Sequence, residues 1–210
     1  MLYDKDIREP LFDFLEEAYG KLRIIEEKQV GKSRADMVMV LPGLLTGIEI
    51  KSDADSYVRL SRQVKDYDRF FDRNMVVAGS SHAAHVREHV PGWWGIITVE
   101  QNDREIDFYV LRQPQENPMM NWKRKLSLLW RPELAHIQEL TAMPRYKEKS
   151  KAFVIEKILA KVPGEQLSVL VSEELFERDY TRIEEVIRAY KIQNRPELKG
   201  RTGKRKRRRP

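Results

Sequence analysis

The chain has 210 residues, of which 34% are charged and 41% hydrophobic, with a formal charge of +6 and no cysteine. This is enough for one well-buried core and a smaller appendage, and it excludes disulfides and thiolate zinc sites, so any metal must be held by oxygen or imidazole. No run approaches the roughly 20 apolar residues that span a bilayer, and the opening Met1-Leu2-Tyr3-Asp4-Lys5-Asp6 lacks a basic-then-apolar signal pattern. The expectation is a cytoplasmic protein with no membrane partner.

In chain order, Leu11, Phe14, Leu15 and Ala18 recur at the spacing of one helical face, with Pro10 suited to a first turn and Gly20 to a stop. Three strands are predicted next, over 22–25, 35–41 and 46–51, the last two separated by Pro42-Gly43. Met37 to Val40 is apolar on both alternating faces, as in a strand covered on both sides. Ser52-Asp53-Ala54-Asp55 offers capping groups, and Tyr57, Leu60, Val64, Tyr67 and Phe71 then lie on one face of a second helix.

A short buried strand over 75–78, a short helix over 81–89, and paired strands over 95–99 and 106–111 around Asn102-Asp103 follow. Beyond Asn117 the pattern is helical: 122–130, 132–140, 150–162, 166–176 and 182–190, the last with Thr181 and Glu184 as a capping box. The predicted organisation is an α/β core over 1–115, an all-helical extension over 116–192 and a basic tail over 193–210. Seven positive charges fall in the last ten residues, so the remainder is nearly neutral.

The chemistry centres on Asp36 and Glu49-Ile50-Lys51. In a strand, residues i and i+2 share a face, so Glu49 and Lys51 project together. A hairpin closed symmetrically about residues 42–45 would set Leu41 opposite Thr46, Asp36 opposite Lys51 and Val38 opposite Glu49, gathering Asp36, Glu49 and Lys51 on one face. Two adjacent buried carboxylates are costly without a cation, and hard oxygen ligands suit magnesium or manganese. Lys51 could orient or deprotonate a metal-bound water, or stabilise a phosphoryl transition state.

With these residues placed, the chain resembles the PD-(D/E)XK nuclease superfamily: Asp36, then Glu49-x-Lys51, on the second and third strands of a helix, three strands, helix, strand order. Gln63-Val64-Lys65-Asp66-Tyr67 is similar to the glutamine-to-tyrosine motif of the RecB-like branch. The resemblance covers residues 7–99. It implies a restriction-endonuclease-like core, a mixed sheet flanked by helices, hydrolysing DNA phosphodiester bonds with Mg2+ or Mn2+. It also implies that Asp36, Glu49 and the Ile50 carbonyl hold the metal, that Lys51 is catalytic, and that Gln63 and Tyr67 support the site or contact DNA. An acidic ligand from the first helix is expected as well; Glu9, placed before that helix, is the choice, with Asp13, Glu16 and Glu17 as rivals. The residue before Asp36 is Ala35, where the family often has proline.

Other motifs have plainer readings. His82, His85 and His89 share a helical face, but three imidazoles on one helix are poorly shaped for tetrahedral zinc. Trp93 and Trp94 suit packing more than base stacking. Residues 129–159 are similar to a SAP-type helix-extended-helix motif, in which Lys147, Lys149 and Lys151 would meet phosphates. Lys204, Arg205, Lys206, Arg207, Arg208 and Arg209 would neutralise phosphates without reading sequence, or direct nuclear import in a eukaryote. A homodimer is compatible with cutting both strands, though no residue requires it. A non-catalytic DNA-binding or assembly module and a ribonuclease are the competing readings.

Overall fold

The computed structural model describes residues 2–102, 105–180 and 183–193. Its centre is a mixed six-stranded sheet in the order β1-β2-β3-β4-β5-β6: β1 Arg23–Val30, β2 Ser33–Leu41, β3 Leu44–Lys51, β4 Arg73–Gly79, β5 Gly95–Asn102 and β6 Glu105–Arg112. The pairs β1–β2, β2–β3 and β5–β6 are antiparallel, while β3–β4 and β4–β5 are parallel. Parallel pairing requires crossovers, and helix α2 (Leu60–Phe70), preceded by a 3-10 turn at Tyr57–Arg59, provides the first.

Helix α1 (Asp4–Tyr19) covers one face of the sheet, burying Ile7, Leu11 and Leu15 against Met37, Met39, Ile48 and Ile50. On the other face α2 packs with the helices that follow β6: α5 Trp122–Ser127, α6 Arg131–Leu140, α7 Lys151–Lys161 and α8 Gly164–Phe176. Leu126, Leu134, Ile158 and Val171 belong to the same buried cluster as Val38, Val40 and Tyr67, so sheet and helical segment share a core. Two polar anchors reinforce the junction. Asn117 Nδ2 donates to the carbonyls of Asp68 (2.8 Å) and Phe71 (2.7 Å) at the end of α2, and the fully enclosed Lys125 ammonium lies 2.7 Å from Asp72.

Several expectations are corrected. The first helix begins at Asp4, not near Pro10, which lies inside it. Tyr3 N–H is taken by Asp6 Oδ2 at 3.1 Å, acidic Asp4 and Asp6 suit a helix N-terminus, and Ile7 extends the apolar stripe one turn backward; together these outweigh the donor lost at Pro10. Strand β1 runs on through Glu26 to Val30, a stretch whose exposed charges hid it from an apolar reading. The histidine segment divides into α3 (Ser80–Ala83) and α4 (Val86–His89). Helix α5 ends at Ser127 rather than Trp130. The last helix, α9, spans Ile183–Gln193, and Thr181 of its expected capping box lies outside the described residues.

The hairpin register differs by two residues. Leu41 pairs with Leu44 and Met37 with Ile48, because Pro42-Gly43 closes a two-residue turn with Gly43 at φ 71°. A tight turn with a left-handed glycine replaces the looser loop assumed from sequence. A shift of two conserves which face each residue occupies, but it removes the expected Asp36–Lys51 and Val38–Glu49 oppositions.

Candidate functional site

Glu49 and Lys51 emerge together from the end of β3, both buried, with Lys51 Nζ 2.6 Å from Glu49 Oε1. Helix α2 approaches β3 closely because residue 47 is glycine: a Cβ there would stand 2.3 Å from Phe71 and 2.7 Å from Tyr67. The close approach delivers Gln63 and Tyr67, one turn apart, to the carboxylate. Gln63 donates through Nε2 to Glu49 Oε1 and accepts from Lys51 Nζ at 3.3 Å; Tyr67 donates its hydroxyl to Glu49 Oε2 at 2.6 Å. Tyr67 is wholly buried and presents no surface for contact with DNA. Burial, with the Glu49 and Asp36 charges, holds its phenol well above its ordinary range.

Asp36 sits at an interruption shared by β1 and β2. Val38 and Val40 face the α2 side and Met37 the α1 side, yet Ala35 returns to the α2 side, so the two-residue alternation breaks at Asp36. Strand β1 changes faces over the same stretch, with Ile25 and Val30 in one cluster, and Glu27 between them has a left-handed backbone at φ 53°. Side chains occupy the gap in the ladder. Asp36 N–H donates to Tyr67 Oη at 3.2 Å, and Asp36 O accepts from Arg8 Nη1 at 3.3 Å. Asp36 Oδ2 in turn accepts Ile50 N–H at 2.8 Å, bridging to the strand that carries Glu49 and Lys51. Burial, and next the Glu49 charge, push the Asp36 carboxyl up to about 7, against the opposing pull of Ile50 N–H and Lys51.

These groups form the floor of a polar cavity of about 500 Å³. Its walls include Asp4 and Arg8 from α1, Glu27 from β1, and Asp55. Its rim carries Lys32, Arg34, Arg59 and Arg62, all exposed. Arg34 pairs with Glu27 at 2.5 Å, whereas Lys32, Arg59 and Arg62 form no ion pair among the described residues. An acidic floor under a basic rim can bind a hard cation below and an anionic group above.

Not every predicted residue reaches this cavity. Glu9 is exposed and lines a separate groove with Lys5, Phe12 and Ile24; because the helix starts earlier, Asp4 is the α1 carboxylate in the cavity wall, and Asp4, not Glu9, Asp13, Glu16 or Glu17, acts on the Asp36 charge. The signal that could have found Asp4 and Arg8 is their i, i+4 spacing, closed here by a 2.8 Å ion pair. Lys147 and Lys149 are exposed away from the cavity. Lys151 is half-buried and donates to Ser127 O at 2.7 Å, and burial lowers its pKa. Lys204 to Arg209 lie outside the described residues. Tyr57 packs its ring edge-on to His82 and stacked on His89, and His85 is exposed 3.8 Å from Glu88. The indoles of Trp93 and Trp94 both donate to Asp68.

With the cavity described, comparison with known proteins places the chain. The family model for bacteriophage P4 protein cII matches residues 1–195. The chain belongs to the phage P4 cII family. Protein cII of Enterobacteria phage P4 is 28% identical over 101 residues, covering 48% of this chain and 38% of that protein. The match thus spans well under half of the curated relative's length. Among solved structures, Pyrococcus furiosus SfsA in complex with Ca2+ aligns over 53% of this chain and 62% of its own, at 16% identity and a TM-score of 0.33, too distant to bear on the chemistry. Among the described residues no helix is long and apolar enough to cross a membrane.

Proposed function

We propose that this cII-family protein is a magnesium- or manganese-dependent deoxyribonuclease with a PD-(D/E)XK-type core. The observation that carries this reading is the juxtaposition of Asp36, Glu49 and Lys51 on the floor of a cavity whose rim bears Lys32, Arg34, Arg59 and Arg62.

The donor set, carboxylate oxygens, fits a hard cation. Magnesium is held by one or two carboxylates while keeping several waters, and Asp36 and Glu49 are two; among the described residues no third acidic or histidine side chain joins them in a cluster. A carboxylate offers about four acceptor sites. Glu49 uses three of them, for Lys51, Gln63 and Tyr67, and Asp36 accepts one hydrogen bond, from Ile50. Burial first, and next the Glu49 charge, raise the Asp36 carboxyl, as befits two carboxylates held close together away from solvent. Asp36 and Glu49 are therefore the side chains that would hold the ion, joined by the Ile50 carbonyl as the family resemblance implies; the ion when bound supplies Lewis acidity and a more acidic water.

The chain's own groups do the rest. Lys51, fixed between Glu49 and Gln63, holds a positive charge where a phosphoryl oxygen gains negative charge. Gln63 and Tyr67 orient Glu49 from behind. Lys32, Arg59 and Arg62 hold flanking phosphates, and the basic tail adds salt-sensitive affinity.

The experiment is direct. Supercoiled, linear and branched DNA, with structured RNA as a parallel substrate, are incubated with the full chain in magnesium or EDTA. Magnesium-dependent DNA cleavage by wild type and its loss in Asp36→Ala and Lys51→Ala are expected. Tight DNA binding without cleavage of any substrate would replace this reading with a binding module, and preferential RNA cleavage with a ribonuclease.

A further inference from the structure

We infer that Arg8 is the resident counter-cation of the cavity wall and that a divalent ion binds beside it only by displacing its guanidinium, so that metal loading releases an anion-binding group beside the reacting centre. This rests on the metal-dependent reading above.

Arg8 reaches out of α1 with its side chain 19% exposed and gathers the acidic groups of the wall. Its Nε lies 2.8 Å from Asp4 Oδ2, its Nη2 2.6 Å from Glu27 Oε1, and its Nη1 3.3 Å from both Glu26 Oε1 and the Asp36 carbonyl. Nη2 also stands 4.0 Å from Asp36 Oδ1, the carboxylate oxygen not engaged by Ile50 N–H. Arg8 thus serves the carboxylates of the wall and reaches toward Asp36 from the side, while Lys51 serves Glu49 from the floor. A guanidinium 4.0 Å from Asp36 Oδ1 and a divalent ion held by that same carboxylate would repel each other in a partly buried cavity, so the two compete.

The displaced side chain has somewhere to go. Arg8 lines two cavities at once, the polar one over Asp36 and the shallower groove containing Glu26 and Phe12. Glu27, whose left-handed backbone is uncommon for a residue with a side chain, is held by Arg8 and by Arg34 at 2.5 Å. Withdrawing Arg8 leaves Arg34 to hold Glu27 and frees a planar five-donor group at the cavity wall, well matched to a phosphate.

The test uses the full chain stripped of metal with EDTA. Titration calorimetry with manganese should show Arg8→Gln binding about ten-fold more tightly than wild type, the effect of removing one competing charge. In wild type, the Arg8 Nε–Hε NMR signal, fixed by the Asp4 bond, should shift on addition of magnesium with the midpoint of binding. Unchanged or weaker manganese binding by Arg8→Gln, or an unmoved Arg8 signal at saturating magnesium, overturns the inference while leaving the metal site standing. Failure of wild type to bind either ion removes the inference and the metal-dependent reading together. Should Arg8→Gln not fold, Arg8→Lys, which keeps the charge but loses the fork, should bind manganese a few-fold more tightly, and equal or weaker binding counts against the inference.

Discussion

Replacing Asp36 with asparagine separates the electrostatic cost of this residue from its chemistry. The carboxyl is raised from 3.8 to about 7, first by burial and next by Glu49. A group whose folded pKa exceeds its unfolded pKa contributes most to stability below the unfolded value, and that contribution is lost as pH rises through the folded one. For Asp36 the window is pH 4 to 7. The shift of about 3 units corresponds to at most ~4 kcal/mol of destabilisation at pH 8, at about 1.4 kcal/mol per unit. Asparagine keeps an oxygen for Ile50 N–H and carries no charge. Metal-free Asp36→Asn should therefore match wild type near pH 4 and exceed its stability by roughly 2–4 kcal/mol at pH 8. Urea unfolding of both proteins in EDTA at pH 4, 6 and 8 measures the difference, in which the other titrating groups cancel. A variant less stable than wild type at pH 8, or an offset independent of pH, refutes the reasoning.

Two further predictions concern the supports of the site. Tyr67→Phe removes the buried donor to Glu49 and the part-buried acceptor for Asp36 N–H, and should cost roughly 2–3 kcal/mol in the same urea assay. Lys125→Met leaves Asp72 without its ammonium partner, although Leu45 N–H still donates to it at 2.8 Å. The loss should be roughly 3–5 kcal/mol, and adding Asp72→Asn should recover part of it; a double variant no better than the single one would show that the ion pair is not the origin of the effect.

The sequence exposed those parts of the site that sit on regular elements. Glu49 and Lys51 declare themselves by two-residue spacing, Gln63 and Tyr67 by one helical turn, and six strands follow in the order their apolar runs suggested. What stayed hidden lies where periodicity fails. Pro10 read as a boundary because proline is commonest in a first turn, and that placement hid Asp4 and Arg8, the α1 residues in the cavity wall. The face change at Glu27 and Asp36 depends on contacts with Arg8 and Tyr67 from two different helices, which no local pattern encodes. Arg59 and Arg62, which lie off the apolar face of the second helix and carry no motif of their own, join the rim only because the fold sets the 3-10 turn and the start of α2 beside β2 and β3.

Gly47 has a consequence for how a mutational scan of this protein should be interpreted. It contributes no functional group, yet the absent methyl sets the depth at which α2 seats on β3, and with it the reach of Gln63 and Tyr67 to Glu49. In a screen scored by function it would behave as an essential position although it lies outside the cavity lining. It is a spacer whose tolerance is less than one carbon atom, and a scan that ranks positions by lost function would mistake it for part of the chemistry.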